Sequence, residues 1–180
     1  MDRKNKEGNS YTFDDDGLDY IAKLADGGMR DAITMMDKCL AYSTELTVEN
    51  VVKALGTTDY DTMFKLTAAL LDGNAKFVIS IIEGIHSDGK DLKQFVKLYM
   101  QFLLDVNKYV IGCDWKYINI PKLEDYEKWM RESSEIDYFQ NFVRRLLSVV
   151  INLNADIKYS TTPKYDIEAI LIQECMEDVE

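Results

Sequence analysis

Gly27-Gly28-Met29-Arg30-Asp31-Ala32-Ile33-Thr34-Met35-Met36-Asp37-Lys38-Cys39-Leu40 opens on a glycine pair and then repeats apolar residues at helical spacing. Met29, Ile33, Met36 and Leu40 form one series and Ala32, Met35 and Cys39 run alongside it, so the spacing predicts an amphipathic helix starting at the glycines. Arg30 then falls in the first turn. Aligned peptide dipoles give that end roughly half a positive charge, and a basic side chain there costs roughly 0.3–1 kcal/mol where an acidic one would help. A bound anion reverses the sign: first-turn amides, glycines without side chains and a guanidinium together suit a phosphate. The alternative is a surface arginine offset by its neighbour Asp31. The group Met29, Met35 and Met36 reads as core packing rather than as a binding surface.

Outward from this helix, the pattern stays helical. Residues before Tyr11 are polar and read as a frayed end or the remnant of a helix. Asp14, Asp15 and Asp16 precede Leu18, Ile21, Leu24 and Ala25, where carboxylates cap a helix and favour its dipole; divalent-cation binding is the alternative. Thr47 is placed to cap a short helix carrying Val48, Val51, Val52 and Leu55, and Gly56 ends it. Gly56-Thr57-Thr58-Asp59 is the domain boundary, a glycine followed by capping residues. Three short helices therefore make a first unit, residues 1–57, and residues 58–180 a second.

In the second unit helices are expected over 60–72, 75–87 and 92–111, separated by Gly73-Asn74 and Ser87-Asp88-Gly89. Residues 112–134 read as a loop followed by a short helix. Their aromatics Trp115, Tyr117, Tyr126 and Trp129 suit burial beneath a long connection, or else a peptide groove. From Ile136 to Leu153 so little of the circumference is polar that the helix must be central or lie at a subunit contact. Tyr159-Ser160-Thr161 forms a turn, Thr162 is placed to cap, and Pro163 takes the first position of a last helix carrying Ile167, Ile170, Leu171 and Cys175. Lys116–Ile120 is the best strand candidate in an otherwise all-α reading.

Composition narrows the chemistry. With 47% hydrophobic residues but only two prolines and nine glycines, the 180-residue chain favours long helices over a turn-rich β architecture. A net charge of -11 opposes non-specific DNA binding, which needs clustered Lys and Arg. The three cysteines, Cys39, Cys113 and Cys175, are far apart and contain no CxxC pair, against a disulfide framework or a zinc site. His86 is the single histidine, which excludes a multi-histidine metal site and a histidine-based triad within the chain. No apolar run approaches the ~20 residues that span a bilayer, and no apolar signal region follows the N-terminus, so a reducing cytoplasm is the expected compartment.

Gly84-Ile85-His86-Ser87-Asp88-Gly89-Lys90-Asp91 imitates a phosphate loop but lacks its final hydroxyl. A helical run precedes it where a strand is required, and Asp91 would repel phosphate; Asp91 is better read as the cap of the next helix. With no acidic pair at the end of an apolar strand to hold magnesium, ATP hydrolysis by these residues alone is not expected, and no catalytic residue or metal site is assigned.

Ala25-Asp26-Gly27-Gly28-Met29-Arg30-Asp31-Ala32 resembles the sensor-2 segment of the bacterial DNA polymerase III gamma/tau family, the AAA+ motor subunits of the sliding-clamp loader. The likeness continues through Asp37–Ser43, Leu46–Val51 and Leu55-Gly56-Thr57, and returns in Ile157-Lys158-Tyr159-Ser160-Thr161-Thr162-Pro163-Lys164, which resembles that family's collar signature. The resemblance implies an AAA+ lid over residues 1–57 and a helical-bundle collar over 58–180. It implies that Arg30 reaches the gamma-phosphate of ATP held, with magnesium, by an ATPase domain absent from this sequence, and that Met29 lies beside the base with Gly27 and Gly28 allowing close approach. Hydrolysis would release that contact and let the lid turn. Tyr159, Ser160, Thr161, Thr162 and Pro163 would belong to the collar, where subunits assemble into a ring. The implied partners are other clamp-loader subunits, with the sliding clamp and primer-template DNA met only through the full assembly; the residues read as an excised piece, without a cofactor of their own. Two rival readings are a free-standing helical adaptor using the segment around Trp115 and Trp129, and the lid and C-terminal part of another AAA+ ATPase.

Overall fold

The computed structural model describes residues 3–4, 10–25, 27–55 and 60–177. The chain divides into two compact units, one of residues 1–58 with 119–131 and the other of residues 59–118 with 132–180. Gly56, Thr57, Thr58 and Asp59, the expected boundary, lie outside the described residues.

In the first unit α1 (Asp15–Leu24), α2 (Met29–Tyr42) and α3 (Val48–Leu55) pack around Tyr20, Ile21, Cys39, Leu46, Val48 and Val51. Three short strands accompany them: β1 (Arg3–Lys4) runs antiparallel to β2 (Ser10–Phe13), which runs parallel to β3 (Glu45–Leu46). The polar N-terminal stretch is thus neither frayed nor helical where it is described. Ladder bonds from Thr12 N–H to Thr44 O at 3.0 Å and Asp14 N–H to Leu46 O at 3.2 Å take up the backbone groups that α1 cannot. Gly17 permits α1 to cross β3 closely, since a Cβ there would stand 2.4 Å from the Leu46 carbonyl oxygen. Residues 119–131 return to this unit, with Leu123 packed on its core and Lys122 Nζ 3.7 Å from the Asp16 carboxylate.

The aspartate cap differs from expectation. Asp14 is the N-cap of α1 but makes no side-chain cap bond, while Asp15 and Asp16 occupy the first turn. Their stabilisation comes from charge at the positive helix end rather than from a hydrogen-bonded cap. Thr47 does cap α3: its Oγ1 accepts from Asn50 N–H at 3.2 Å.

Among its described residues the second unit holds helices joined by turns and no strand. α4 (Tyr60–Leu71), α5 (Ala75–Ser87) and α6 (Leu92–Val110) follow the predicted spans closely. α7 (Glu124–Ser134) crosses the division between units at Arg131 and Glu132, and α8 (Phe139–Asp156) and α9 (Pro163–Glu177) complete the unit. α6 packs chiefly on α8, and α5 on α9. α8 is central as its composition demands, burying Phe139, Phe142, Val143, Leu146, Val150 and Leu153. Between helices Phe64 meets Phe102 edge-on at 4.8 Å, Tyr99 OH and Thr67 Oγ1 share a buried bond of 2.9 Å, and Asn107 Nδ2 donates to Val143 O at 3.1 Å.

Lys116–Ile120 is not a strand. Trp115–Tyr117 is a 3-10 turn whose Asp114 carboxylate accepts from Lys116 N–H at 2.9 Å, and Lys108 Nζ donates to Tyr117 O at 2.9 Å. The alternation itself is real, because Ile118 and Ile120 are buried and Asn119 exposed, but local capping has replaced ladder bonding. Of the aromatics here, Trp115, Tyr126 and Trp129 are half-buried, Trp115 standing edge-on to Tyr109, whereas Tyr117 is exposed. The false phosphate loop is the end of α5 and the start of α6, with Asp91 accepting from Lys93 N–H at 2.9 Å and Gln94 N–H at 3.3 Å. No described helix is long and apolar enough to cross a membrane.

Candidate functional site

Between α1 and α2 the backbone reverses at Gly27, whose φ of 79° lies in the left-handed region, and Gly28 follows in an extended conformation as the N-cap of α2. Asp26 lies outside the described residues. Gly28 N–H donates to Ala25 O at 2.7 Å and Gly28 O accepts from Ala32 N–H at 2.9 Å, so the turn is closed at both ends. Gly28 has no side chain to offer α2 as a cap. The amides of Met29, Arg30 and Asp31 therefore lack the intrahelical partners that later amides have, and they carry the positive end of a 14-residue helix.

Around Gly27 the space is open, since a Cβ there would meet nothing within 4 Å, whereas at Gly28 it would stand 3.0 Å from both Ala25 O and Asp31 Oδ2. Asp31 thus lies close to the N-cap, as the alternative of a neighbouring carboxylate supposes. Even so, Arg30 is exposed and, among the described residues, forms no ion pair; its carbonyl accepts from Thr34 Oγ1 at 2.9 Å.

Met29 and Ile33 do not pack in the core. They are 75% and 47% exposed, because the buried face of α2 is centred on Cys39 with Ala32, Met35 and Met36, roughly a quarter-turn round the helix at 100° per residue. Met35 and Met36 are core as expected; Met29 joins Arg30 on an exposed surface. Cys39, buried beneath, has its thiol pushed up in pKa by that burial, so it serves as packing rather than as a nucleophile.

The second motif is a hydrogen-bonded turn. A 3-10 segment, Ile157–Tyr159, ends α8 and leaves Tyr159 90% exposed. Ser160 Oγ accepts from Thr162 N–H at 2.9 Å and donates to the Asp166 carboxylate. Thr162 O accepts from Tyr165 and Asp166 N–H, and Pro163 begins α9. Thr162 directly precedes α9, where the cap was expected, and its carbonyl takes the first helical amides, while the side-chain bonds of the turn are made by Ser160 and Asp166. Lys93, from the first turn of α6, donates to Lys158 O and Ser160 O, each at 3.1 Å, and ties the turn down. Nothing in the sequence singled out Lys93: an isolated lysine far along the chain carries no local signal of that role.

Comparison with known proteins adds an independent line. Residues 6–45 match the family model for the DNA polymerase III clamp loader subunit ATPase lid domain, and residues 46–178 match that for DNA polymerase III subunits gamma and tau domain III. The chain is similar to the DNA polymerase III subunit tau of Bacillus subtilis, 22% identical over 88% of this chain and 28% of that protein. It is similar to the subunit gamma/tau of Mycoplasma genitalium, 26% identical over 81% of this chain and 24% of that protein. It is also similar to the subunit gamma of Buchnera aphidicola, 24% identical over 96% of this chain and 46% of that protein. The chain thus spans between a quarter and a half of the length of these relatives.

Proposed function

Because the chain belongs to the DNA polymerase III gamma/tau family of clamp-loader subunits, spanning its lid domain and domain III, we propose that Arg30 and the start of α2 complete a nucleotide site whose other walls belong to an ATPase domain outside this sequence. The observation that carries this reading is a helix N-terminus with glycine at its N-cap beside an exposed guanidinium that forms no ion pair among the described residues. That combination costs stability until an anion arrives. A phosphate oxygen fits it, since amides and guanidinium both donate, and a guanidinium fork binds such an oxyanion through charge-assisted bonds. Met29 offers an exposed apolar contact for a base, and the open space around Gly27 leaves room for close approach. ATP with magnesium is the group we assign; magnesium and water activation would come from the ATPase domain, and the residues here bind and orient.

Residues 58–180 are the proposed collar and 1–57 the lid, a division supported by the compact units, apart from residues 119–131, which pack in the first. Tyr159 and the turn to Pro163 belong to the collar, which would join other clamp-loader subunits into a ring. The sliding clamp and primer-template DNA would be met through that assembly, in the cytoplasm. In this reading the chain binds phosphate and assembles but does not hydrolyse ATP alone.

The test is Arg30→Ala in a full-length gamma/tau subunit carrying these residues, assembled with its partner subunits. ATP-dependent clamp loading is expected to fall by about 10- to 100-fold, in keeping with loss of a charge-assisted phosphate contact, while size-exclusion chromatography shows assembly unchanged. Loss of assembly together with a normal nucleotide response would refute the assignment.

A further inference from the structure

A groove of about 470 Å³ runs along the N-terminal half of α8, lined by Tyr138, Asn141, Phe142, Arg144, Arg145 and Ser148. Residues three and four apart share a helix face, so the stripe is continuous. Buried Phe142 makes an apolar floor, and Tyr138 and Arg144 are exposed at the rim. Among the described residues that line it there is no carboxylate, in a chain with 32 acidic and 21 basic side chains. Glu135 and Asp137 precede α8 but do not line the groove.

The two guanidiniums differ in role. Arg145 Nε donates to Glu174 at 3.3 Å, and that buried carboxylate anchors it while 39% of the arginine side chain stays exposed. Arg144 Nη2 donates to Asn141 Oδ1 at 2.9 Å and, among the described residues, has no ion pair. Ser148 Oγ donates to the Arg144 backbone carbonyl at 3.2 Å. α8 starts behind Tyr138, an N-cap without a side-chain cap bond, so first-turn amides add positive charge at the same end.

We propose that this groove docks an acidic peptide segment of a partner protein, with a carboxylate on Arg144 and an adjacent apolar side chain against Tyr138 and Phe142. The proposal goes beyond the nucleotide reading and uses none of its residues. A guanidinium fork matches carboxylate geometry, and the aromatic pair provides the apolar contact. A nucleic-acid strand suits the groove less well. Its affinity grows with the number of phosphates neutralised, and the net charge of -11 repels an extended polyanion where a short peptide meets only the local field.

Fluorescence anisotropy on the whole chain at low salt tests this, with a fluorescein-labelled Gly-Glu-Leu-Glu-Gly peptide as probe. Saturable binding is expected, weakened about tenfold or more by Arg144→Ala, or by replacing both glutamates of the peptide with glutamine. Arg144→Lys should recover part of the affinity, and Lys97→Ala, on the exposed face of α6, should change nothing. Far-ultraviolet circular dichroism establishes that each variant is folded. Binding that is not saturable, that survives Arg144→Ala in a folded protein, or that is matched by the glutamine peptide overturns the proposal. So does tighter binding of an oligothymidine strand than of the glutamate peptide.

Discussion

Alanine at Gly17 would place its Cβ 2.4 Å from the Leu46 carbonyl oxygen, a contact with backbone that no rotamer relieves. Gly17→Ala is expected to destabilise by about 1–3 kcal/mol through overpacking. Gly84 in α5 is exposed, with nothing within 4 Å of its Cβ position, so Gly84→Ala should instead stabilise by about 0.5–1 kcal/mol through a less flexible unfolded chain. Urea unfolding followed by circular dichroism should show midpoints moving in opposite directions; a shared direction would contradict the steric account. At Tyr99, burial pushes the phenol well above its ordinary pKa, outweighing the bond with Thr67 that favours ionisation. A raised folded pKa means the stability is fully present below the unfolded value near ~10 and is lost as pH rises past it. Tyr99→Phe should therefore start about 0.5–1.5 kcal/mol less stable at neutral pH, from the lost bond to Thr67, and lose less than the wild type between mildly and strongly alkaline pH. Equal losses in the two proteins would show that Tyr99 does not drive the alkaline transition.

At the level of helices, boundaries follow local chemistry where capping side chains and positive-φ glycines agree. Gly73 and Gly89, with φ of 63° and 70°, sit where α5 and α6 are about to begin, and Asn74 and Asp91 accept from the first-turn amides. Asp91→Ala should cost about 1 kcal/mol, within the usual range for losing an N-cap, read as a lowered midpoint in urea. Asp91→Asn should restore most of it, because the amide oxygen still accepts; failure of that rescue would shift the role from capping to charge. Strands were the least legible elements. β2 and β3 have too few residues for a period-2 pattern to show, and their pairing joins positions on either side of α1 and α2. The helix start at Arg30 was legible because glycines, apolar spacing and the misplaced cation are all local. Which side of α2 would be buried was not, because that depends on where α1 and α3 lie.

For the whole molecule, charge and topology act on different questions. The net charge of -11 bears on partners and sets the background against which the exposed Arg30 and the Arg144 groove stand out. Topology returns residues 119–131 to the first unit, through an apolar contact at Leu123 and an ion pair at Lys122 that no spacing rule announces. Helical class, most helix spans and the likeness to the family were all written in neighbouring residues. Hydrophobic period, capping preference and backbone stereochemistry act over a few positions and so leave a readable trace. Exposure of Met29, the tether from Lys93 to Ser160, the close crossing at Gly17 and the groove on α8 came only with packing. Each of them joins residues distant along the chain, or hinges on which of two adjacent helix faces finds a neighbour, and such choices are made by the energy of the assembled unit rather than by any short segment.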